Sequence, residues 1–269
     1  MALVRLRYGR RGDRVVDTPS RGTRLRLNTG LTFRRVQDSS DPGWRPLIDL
    51  YVRVFEEGQR ETEPAILRNL VTSQNPREGG HLIIAALAED GRCVGGNIFS
   101  YLPLIKCGYV SYVFVTPGFQ NRGIGQGLLE EMRRYLTSEV TRLGHSPVLG
   151  LFAEIERADH PGETLRRRFR FWERAGVIPL DVDWQYPPLH HGEPPTPMYL
   201  AFGPYCGKRP TWYPAHLENV ARAIYDATYS YLPGAATTLT AILDGLHRRR
   251  QNTPVPYLRP WERAHTRKT

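Results

Sequence analysis

The residues with the clearest chemical meaning form a glycine-rich stretch, VTPGFQNRGIGQG, at residues 115–127. A strand-like run stops at Pro117, the chain turns, and a helical run begins near Gly123. The first N–H groups of a helix have no intrahelical acceptors and lie at the positive end of its dipole, so they bind phosphates. Gly123 and Gly125 let a diphosphate approach the backbone, and Arg122 can add a charged hydrogen bond. The stretch therefore predicts a phosphate-binding loop, although glycines at such a turn can also serve packing alone.

Other phosphate-binding loops fit this stretch less well. A P-loop ends in Gly-Lys-Ser or Gly-Lys-Thr, and neither occurs in the sequence. The dinucleotide fingerprint G-x-G-x-x-G requires a glycine at the position of Leu128. The pattern is therefore not that of the common nucleotide-binding loops.

The complete stretch resembles the coenzyme A-binding motif of the GCN5-related N-acetyltransferase (GNAT) superfamily, V-x-P-x-x-Q-x-R/K-G-x-G/A-x-x-L-L. The matching positions are Val115, Pro117, Gln120, Arg122, Gly123, Gly125, Leu128 and Leu129. The resemblance implies that strand backbone holds the pantetheine arm of acetyl-CoA and that loop N–H groups cradle its pyrophosphate. We expect no metal, because the three cysteines lack the spacing of a zinc site. The residues expected to bind this cofactor are Val113, Phe114, Val115, Gln120, Asn121, Arg122, Gly123, Ile124, Gly125 and Gln126.

Glu154 is the candidate general base. Amine acylation needs a group that takes the proton of the ammonium and another that stabilises the leaving thiolate. Glu154 ends the apolar run at residues 151–154 and resembles the glutamate proposed as base in ribosomal-protein alanine acetyltransferases of the family. A carboxyl at the end of an apolar strand can lose hydration, which raises its pKa. Alternatively, Glu154 is exposed to water or pairs with Arg157 or Arg167.

The usual acid of the family has no direct counterpart. Relatives usually carry a tyrosine, four residues before the glycine that ends the following helix, as proton donor to the thiolate. Counting back from Gly176 places Trp172 there, and an indole N–H cannot supply a proton at neutral pH. Water, Tyr112 or Tyr186 could take its place, so these tyrosines are the further catalytic candidates. The departure also leaves open a slow or repurposed enzyme.

Two further segments could line an acceptor site. Residues 55–63, FEEGQRETE, carry four carboxylates where relatives contact the acceptor and could attract a cationic amine, although a solvated acidic loop is the commoner explanation. Residues 186–191, YPPLHH, could wall the acceptor site. The two adjacent histidines alone do not make a metal site.

Hydrophobic periodicity predicts the elements that position these residues. Strands are predicted at 31–36, 81–88, 92–102, 108–115, 148–155, near 180–186 and near 198–202, and helices near 42–55 and 62–71 and at 123–143 and 164–175. Alternating strands and helices indicate a mixed α/β domain. The element order also matches the resemblance, which implies a GNAT-type mixed central sheet flanked by helices.

The chain divides into four predicted segments. They are a flexible basic arm at 1–30, a GNAT acyl-CoA-binding acyltransferase domain at 31–204, a helical extension at 205–250 and a basic tail at 251–269. Two apolar helical faces separated by Pro233 and Gly234 predict that the extension is a helical hairpin. This hairpin could mediate a homodimer or cap the pocket.

The net charge of +10 is concentrated at the two ends of the chain. Residues 1–32 carry eight arginines and two aspartates, and residues 247–269 carry seven basic residues and one glutamate. Such ends are commonly solvated, so nucleic acid is not an expected partner. Three cysteines without a CxxC pair favour a reducing compartment. With no long apolar run and no leader pattern, we expect no membrane segment and a cytoplasmic protein.

These observations predict an acyl-CoA-dependent N-acyltransferase, an acetyltransferase in the simplest case, in which an amine attacks the thioester directly in a ternary complex. Two alternatives stay open. One is a weakly active or inactive GNAT-like protein that binds acyl-CoA for regulation or as a scaffold, which Trp172 favours. The other is a protein- or RNA-directed acetyltransferase whose basic ends dock its substrate.

Overall fold

The computed structural model describes residues 26–27, 30–57, 60–70, 80–142, 144, 147–157 and 162–258. The strands of this part are β1 (Arg26–Leu27), β2 (Leu31–Val36), β3 (Leu82–Leu87), β4 (Cys93–Leu102), β5 (Cys107–Val115), β6 (Gly150–Glu156), β7 (Ile178–Pro179), β8 (Trp184–Tyr186) and β9 (Thr196–Pro204). The helices are α1 (Trp44–Val54), α2 (Glu63–Asn69), α3 (Ile124–Arg142), α4 (Glu163–Arg174), α5 (Pro214–Ile224) and α6 (Ala235–His247).

The strands form one mixed sheet. Their order is β1-β2-β3-β4-β5-β6-β9-β7, and β8 also pairs with β9. Neighbours are antiparallel except β5 and β6, which are parallel. The predicted mixed sheet flanked by helices is confirmed, and so are the C-terminal helices.

Helices cover both faces of the sheet because alternate strand residues point to opposite sides. We call the side covered by α3 and α4 the α3 face; Leu128, Met132 and Leu136 of α3 are buried there at helical spacing. The opposite face is covered by α1 and α2 over one half and by α5 and α6 over the other. Neighbouring residues of one strand therefore belong to the separate hydrophobic cores on the two faces of the sheet.

The parallel strands β5 and β6 separate along their length. They pair only from Cys107 with Gly150 to Val110 with Ala153. Beyond that point β5 continues to pair with β4, and β6 continues to pair with β9. Within the described sheet, the edges of β5 and β6 that face each other past Val110 and Ala153 have no strand partner. A gap therefore opens in the middle of the sheet.

A β-bulge in β5 determines which side chains border this gap. Ile98 pairs with Tyr112 and Phe99 pairs with Val110, so Ser111 is the extra residue of β5. In a regular strand, Tyr112 would lie on the same face as Val110, which is two residues earlier and is buried on the α3 face. It packs instead among residues of the opposite face.

The predicted helical extension packs on the opposite face of the sheet. Leu217, Ile224 and Leu246 are buried there beside residues of β5, β6 and β9. A π-helical turn, Tyr225–Tyr229, continues α5 toward the centre of the sheet. In the described part of the chain, no helix is both long and apolar enough to cross a membrane.

Three segments differ from the sequence predictions. Of the strand predicted near 180–186, only Trp184–Tyr186 forms a strand, β8, because the chain turns away before it and the Asp181 N–H donates to the Pro256 carbonyl. The predicted tail packs on the domain over 251–258, where the Val255 side chain is buried. Arg26 and Leu27, predicted within the arm, pair with β2. The rest of the predicted arm and tail lies outside the described residues.

Candidate active site

A cavity of about 1160 Å³ occupies the gap between β5 and β6. It is bordered by the diverging strand ends, the loop that leads into α3, one side of α4 and the segment at residues 186–189. Ligand pockets usually measure roughly 300–1,000 Å³. This cavity therefore has room for a long cofactor and a second substrate.

The loop between β5 and α3 is tied back to the strand that precedes it. β5 ends at Val115, a 3₁₀ turn spans Pro117–Phe119, and α3 begins at Ile124. The Gln120 side chain donates a 3.1 Å hydrogen bond to the Val115 carbonyl. The start of α3 is thus held beside the end of β5, as the motif predicts.

Backbone conformation at the start of α3 explains one of the two motif glycines. Gly123 has φ +79° and Asn121 has φ +62°, in the left-handed region that glycine and asparagine tolerate best. No atom lies within 4 Å of where a Gly123 side chain would begin. The first helical bond runs from the Gly127 N–H to the Gly123 carbonyl, so the N–H groups before Gly127 are directed out of the helix end.

Packing explains the other motif glycine. A side chain at Gly125 would meet Cε2 of Phe171, on α4, at 2.8 Å. The Gln126 side chain donates a 3.1 Å hydrogen bond to the Phe171 carbonyl. The contact with Phe171 supports the alternative hypothesis for Gly125, that this glycine allows close helix packing. Gly123, by contrast, leaves open space for a ligand.

The structure brings the predicted cofactor residues to the cavity, with one exception. The exposed Arg122 does not border it, and its guanidinium lies over the Phe119 ring, 5.0 Å from the centroid. The cavity-lining members of the predicted set are Val113, Phe114, Val115, Gln120, Asn121, Gly123, Ile124, Gly125 and Gln126.

These residues fit an extended anionic cofactor such as acetyl-CoA. The unpartnered edge of β5 offers N–H and C=O groups to the amides of a pantetheine arm. The start of α3 offers N–H groups and a positive dipole end to a pyrophosphate. The open space at Gly123 admits the phosphates to the backbone.

Three arginines of α4 also border the cavity, and the sequence analysis did not single them out as candidate phosphate ligands. They are Arg167, Arg168 and Arg174, and Arg168 forms an ion pair with Glu156. Guanidinium groups bind phosphates through charged hydrogen bonds. Helical spacing could have identified them, because Thr164, Arg167, Arg168, Phe171 and Arg174 all fall on one side of α4.

Glu154 borders the cavity where β6 leaves β5. Its Oε1 accepts a 2.6 Å hydrogen bond from Trp184 Nε1, and its Oε2 accepts a 2.9 Å hydrogen bond from the Tyr229 hydroxyl. Burial raises the pKa of Glu154 to about 7, although these hydrogen bonds oppose the rise. A carboxyl with such a pKa is about half ionised at neutral pH, as suits a general base.

The alternative ion pairs of Glu154 do not form among the described residues. Arg157 Nη1 lies 3.6 Å from Asp183 Oδ1 instead, and Arg167 borders the cavity without bridging to Glu154. The environment of Glu154 is thus set by neutral hydrogen-bond donors.

A second tyrosine extends this hydrogen-bonded group. The Tyr109 hydroxyl, on β5, is in hydrogen-bond contact with the Tyr229 hydroxyl. Burial raises the pKa of both tyrosines well above the ordinary value. Both hydroxyls therefore stay protonated at neutral pH and remain available as donors toward Glu154.

Tyr112 and Tyr186 border the same cavity as Glu154. The Glu61 N–H donates a 3.3 Å hydrogen bond to the Tyr112 hydroxyl. Burial raises the pKa of both tyrosines well above the ordinary value. This favours donation of hydrogen bonds over release of a proton.

Trp172 lies where the resemblance implies a tyrosine. Its side chain is buried on the α3 face and borders the cavity. The α4 side of the cavity therefore contains an indole instead of a phenol. The ring centroids of Trp172 and Phe171 are 5.0 Å apart.

The acidic segment does not present its carboxylates to the cavity. Phe55 borders the cavity, whereas the Glu61 carboxylate is 3% exposed and accepts hydrogen bonds from Tyr231 and, in a 3.3 Å contact, His81. Glu63 accepts a 3.2 Å hydrogen bond from the Trp44 indole.

The two adjacent histidines, His190 and His191, are exposed and do not border the cavity. Among the described residues, no three His, Cys, Asp or Glu side chains are placed to hold a metal ion together.

Comparisons with known proteins bear on this site. Residues 44–148 match the family model described as "Acetyltransferase (GNAT) family", and no curated protein matches the sequence. A protein from Bacteroides thetaiotaomicron assigned to the GNAT family of acetyltransferases has 19% identity and a TM-score of 0.52, over 72% of this chain and 97% of that chain. The ribosomal-protein alanine N-acetyltransferase of Escherichia coli has 14% identity and a TM-score of 0.44, over 68% and 99%.

The matched segment contains α1, β5, the loop that leads into α3 and the start of α3, all of which contribute residues to the cavity lining. The likeness to the Bacteroides protein, at 19% identity, is one of fold. The chain therefore carries a GNAT acetyltransferase domain at residues 44–148.

Proposed function

We propose that this chain transfers an acetyl group from acetyl-CoA to a primary amine, with Glu154 as the general base. The match of residues 44–148 to the GNAT family model supports acyl-CoA-dependent N-acyl transfer in general. The observation that carries the finer proposal is the position of Glu154, a carboxyl with a pKa of about 7, in the same cavity as the phosphate-binding loop.

Two parts of the cavity are proposed to bind acetyl-CoA. The start of α3 and the arginines of α4 hold the phosphates. The free edge of β5 at residues 113–115 aligns the chain of the cofactor by backbone hydrogen bonds. When bound, acetyl-CoA supplies a thioester whose acyl group passes to the amine while the sulfur leaves as a thiol.

The proton of the amine goes to Glu154. Above about pH 7 the carboxylate is ionised and accepts one proton from the ammonium group, which frees the nitrogen lone pair. Trp184 and Tyr229 hold the carboxylate in place through its two oxygens. They also stabilise its charged form while the proton is absent.

Tyr112 and Tyr186 are proposed to stabilise the departing sulfur. Their hydroxyls remain protonated because burial raises their pKa, so they can donate hydrogen bonds to developing negative charge. The final proton then comes from water, because Trp172 has no proton to give at neutral pH.

The cysteines support direct attack without an acyl-enzyme. Cys93 and Cys107 are buried outside the cavity lining, and burial raises their thiol pKa to about 11 and about 12. Thiols in this state are poor nucleophiles because the thiolate is the reactive form. Cys206 is exposed and also lies outside the cavity lining.

An assay of acetyl transfer to a panel of primary amines, in which the release of the CoA thiol is measured, tests the proposal. Glu154→Gln keeps the shape of the side chain and removes the base, so we expect kcat to fall by about 10²–10⁴-fold while acetyl-CoA binding persists. Acetyl-CoA binding by the natural chain without turnover of any amine would contradict the proposal and favour an acyl-CoA-binding regulatory protein.

A further inference from the structure

The cavity crosses the sheet, and its two ends differ in chemistry. The cofactor loop and α4 lie on the α3 face. Glu154 follows Phe152 by two residues on β6 and so lies on the opposite face, where Phe152 is buried. Tyr112 also lies on the opposite face. An acceptor that reaches Glu154 therefore enters from the side of the sheet opposite the phosphates.

The wall on this acceptor side is aromatic and apolar. Phe55 and Tyr112 are in edge contact with ring centroids 5.2 Å apart, and both border the cavity. The segment after β8 contributes Pro187, Pro188 and Leu189 to the lining. These groups bury apolar surface on binding, and ring faces can additionally hold a single ammonium charge.

The C-terminal extension fixes this wall. A side chain at Gly234, which precedes α6, would meet Pro188 Cγ at 3.2 Å. Two consecutive prolines have fixed φ angles, so the segment cannot readily adapt to different ligands. The position of Pro188 against the extension therefore makes the wall a preformed surface.

Negative charge on the acceptor side is scarce. The carboxylates of the segment at residues 55–63 do not border the cavity. Besides Glu154, two carboxylates belong to the lining: Glu156, which forms an ion pair with Arg168, and the exposed Glu193. Arg53 adds a positive charge to the same lining. A substrate with several positive charges would meet few carboxylates here and one like charge.

We infer that the acceptor is a small primary amine with one positive charge on an apolar or aromatic body, such as an arylalkylamine. This inference rests on the proposed function and adds the substrate class. The ammonium group faces Glu154, and the apolar body packs on Phe55, Pro188 and Leu189. Polyamines, aminoglycosides and peptide N-termini are the competing acceptors.

A matched pair of amines tests the inference through thiol release from acetyl-CoA. Phenethylamine and ethylamine carry the same reactive group and differ in the apolar body. We expect kcat/KM for phenethylamine to exceed that for ethylamine, spermidine and kanamycin by at least about tenfold, because a buried ring adds apolar contact. A higher kcat/KM for spermidine, kanamycin or an alanine-initiated peptide would overturn the inference and leave the proposed function standing.

A substitution in the apolar wall distinguishes an effect on amine recognition from an effect on folding. Leu189→Asp places a carboxylate among the apolar groups, and we expect it to lower kcat/KM for phenethylamine at least fivefold (roughly the effect of one lost apolar contact) with little change for ethylamine. Leu104→Asp is the matched control, because Leu104 is 85% exposed and lies outside the cavity lining. Equal losses for both amines in Leu189→Asp would contradict the inference.

Calorimetric titration of phenethylamine into the protein with CoA provides a readout that does not depend on turnover. We expect binding that Leu189→Asp weakens and Leu104→Asp does not. Absence of binding by phenethylamine, together with binding of spermidine, would overturn the inference. A protein that binds acetyl-CoA but acetylates none of these amines would contradict the proposed function itself and, with it, this inference.

Discussion

The Tyr229 hydroxyl donates a 2.9 Å hydrogen bond to the Glu154 carboxylate from a residue 75 positions further along the chain. Tyr229 belongs to the π-helical turn that continues α5, and such turns often occur at functional sites. Both residues lie beyond the segment that matches the family model. The C-terminal extension therefore contributes directly to the environment of the proposed base.

Removal of this hydrogen bond should change the pH dependence of the reaction. The hydroxyl stabilises the ionised carboxylate, so Tyr229→Phe should raise the pKa of Glu154 above its value of about 7. A hydrogen bond to a charged group contributes roughly 1.5–3 kcal/mol, so we expect the acidic limb of kcat/KM against pH to move up by about one to two units.

Tyr225→Phe is the matched control for this experiment. Tyr225 lies on the same turn, but its hydroxyl donates a 2.6 Å hydrogen bond to the Gln185 carbonyl rather than to a carboxylate. Its removal should lower stability without a shift of the acidic limb. An acidic limb that stays in place in Tyr229→Phe would show that Tyr229 has only a structural role.

The raised pKa of Glu154 also has a consequence for stability. Below about pH 4.5 the carboxyl is protonated in both states, and between that pH and about 7 the folded state binds more protons than the unfolded state. Stability therefore falls as the pH rises through this window, by at most roughly 3 kcal/mol. Glu154→Gln should become more stable relative to the natural chain between pH 5 and pH 8, as measured by urea unfolding.

Glu156→Gln is the control for the stability measurement, because its side chain is 44% exposed and pairs with Arg168. We expect it to show no such gain with pH. A difference between Glu154→Gln and the natural chain that is independent of pH would mean that Glu154 ionises in the folded state as readily as in the unfolded state.

Two glycines in helices should respond oppositely to alanine. Gly245, in α6, has open space around a new side chain, with Arg248 Nη2 at 4.0 Å, so Gly245→Ala should stabilise by about 0.5–1 kcal/mol through helix propensity. Gly125→Ala gains the same propensity but meets Phe171 at 2.8 Å, and overpacking costs about 1–3 kcal/mol. Thermal and urea unfolding of both variants checks the sign.

A stabilised Gly125→Ala would contradict the packing role of Gly125. The double variant with Phe171→Leu removes the ring and should recover part of the lost stability. Its failure to do so would mean that the helix start, and not the contact with α4, requires the glycine.

The cavity wall formed by residues 113–126 was predictable from sequence because local rules govern it, and its role in cofactor binding stays a prediction. A strand, a turn and the first turn of a helix are contiguous in residues 113–126, and their N–H groups point outward by geometry alone. The candidate base was also accessible, because an ionisable residue at the end of an apolar strand stands out at Glu154. Its role as base stays a prediction.

The part of the cavity around Glu154 was less predictable, because residues that are distant in the sequence form it through tertiary contacts. Trp184 and Tyr229, which bond to Glu154, are separated from it by 30 and 75 residues, and no local pattern relates them. The bulge at Ser111, which turns Tyr112 to the opposite face, leaves no periodicity signal in an apolar strand. The carboxylates of the acidic segment do not border the cavity, because a charge pattern does not specify the direction in which side chains point.

The central claim is that the loop at the start of α3 binds acyl-CoA, and thermal unfolding with and without acetyl-CoA tests it most directly. A ligand at about 100 times its dissociation constant adds roughly 2.7 kcal/mol to stability. Gly123→Asp places a carboxylate where the phosphates bind, and Gly123→Asn has the same shape and tolerates the same φ of +79° without the charge. We predict that acetyl-CoA raises the Tm of the natural chain and of Gly123→Asn, and that it does not raise the Tm of Gly123→Asp. No rise in the natural chain, or an equal rise in Gly123→Asp, would contradict it.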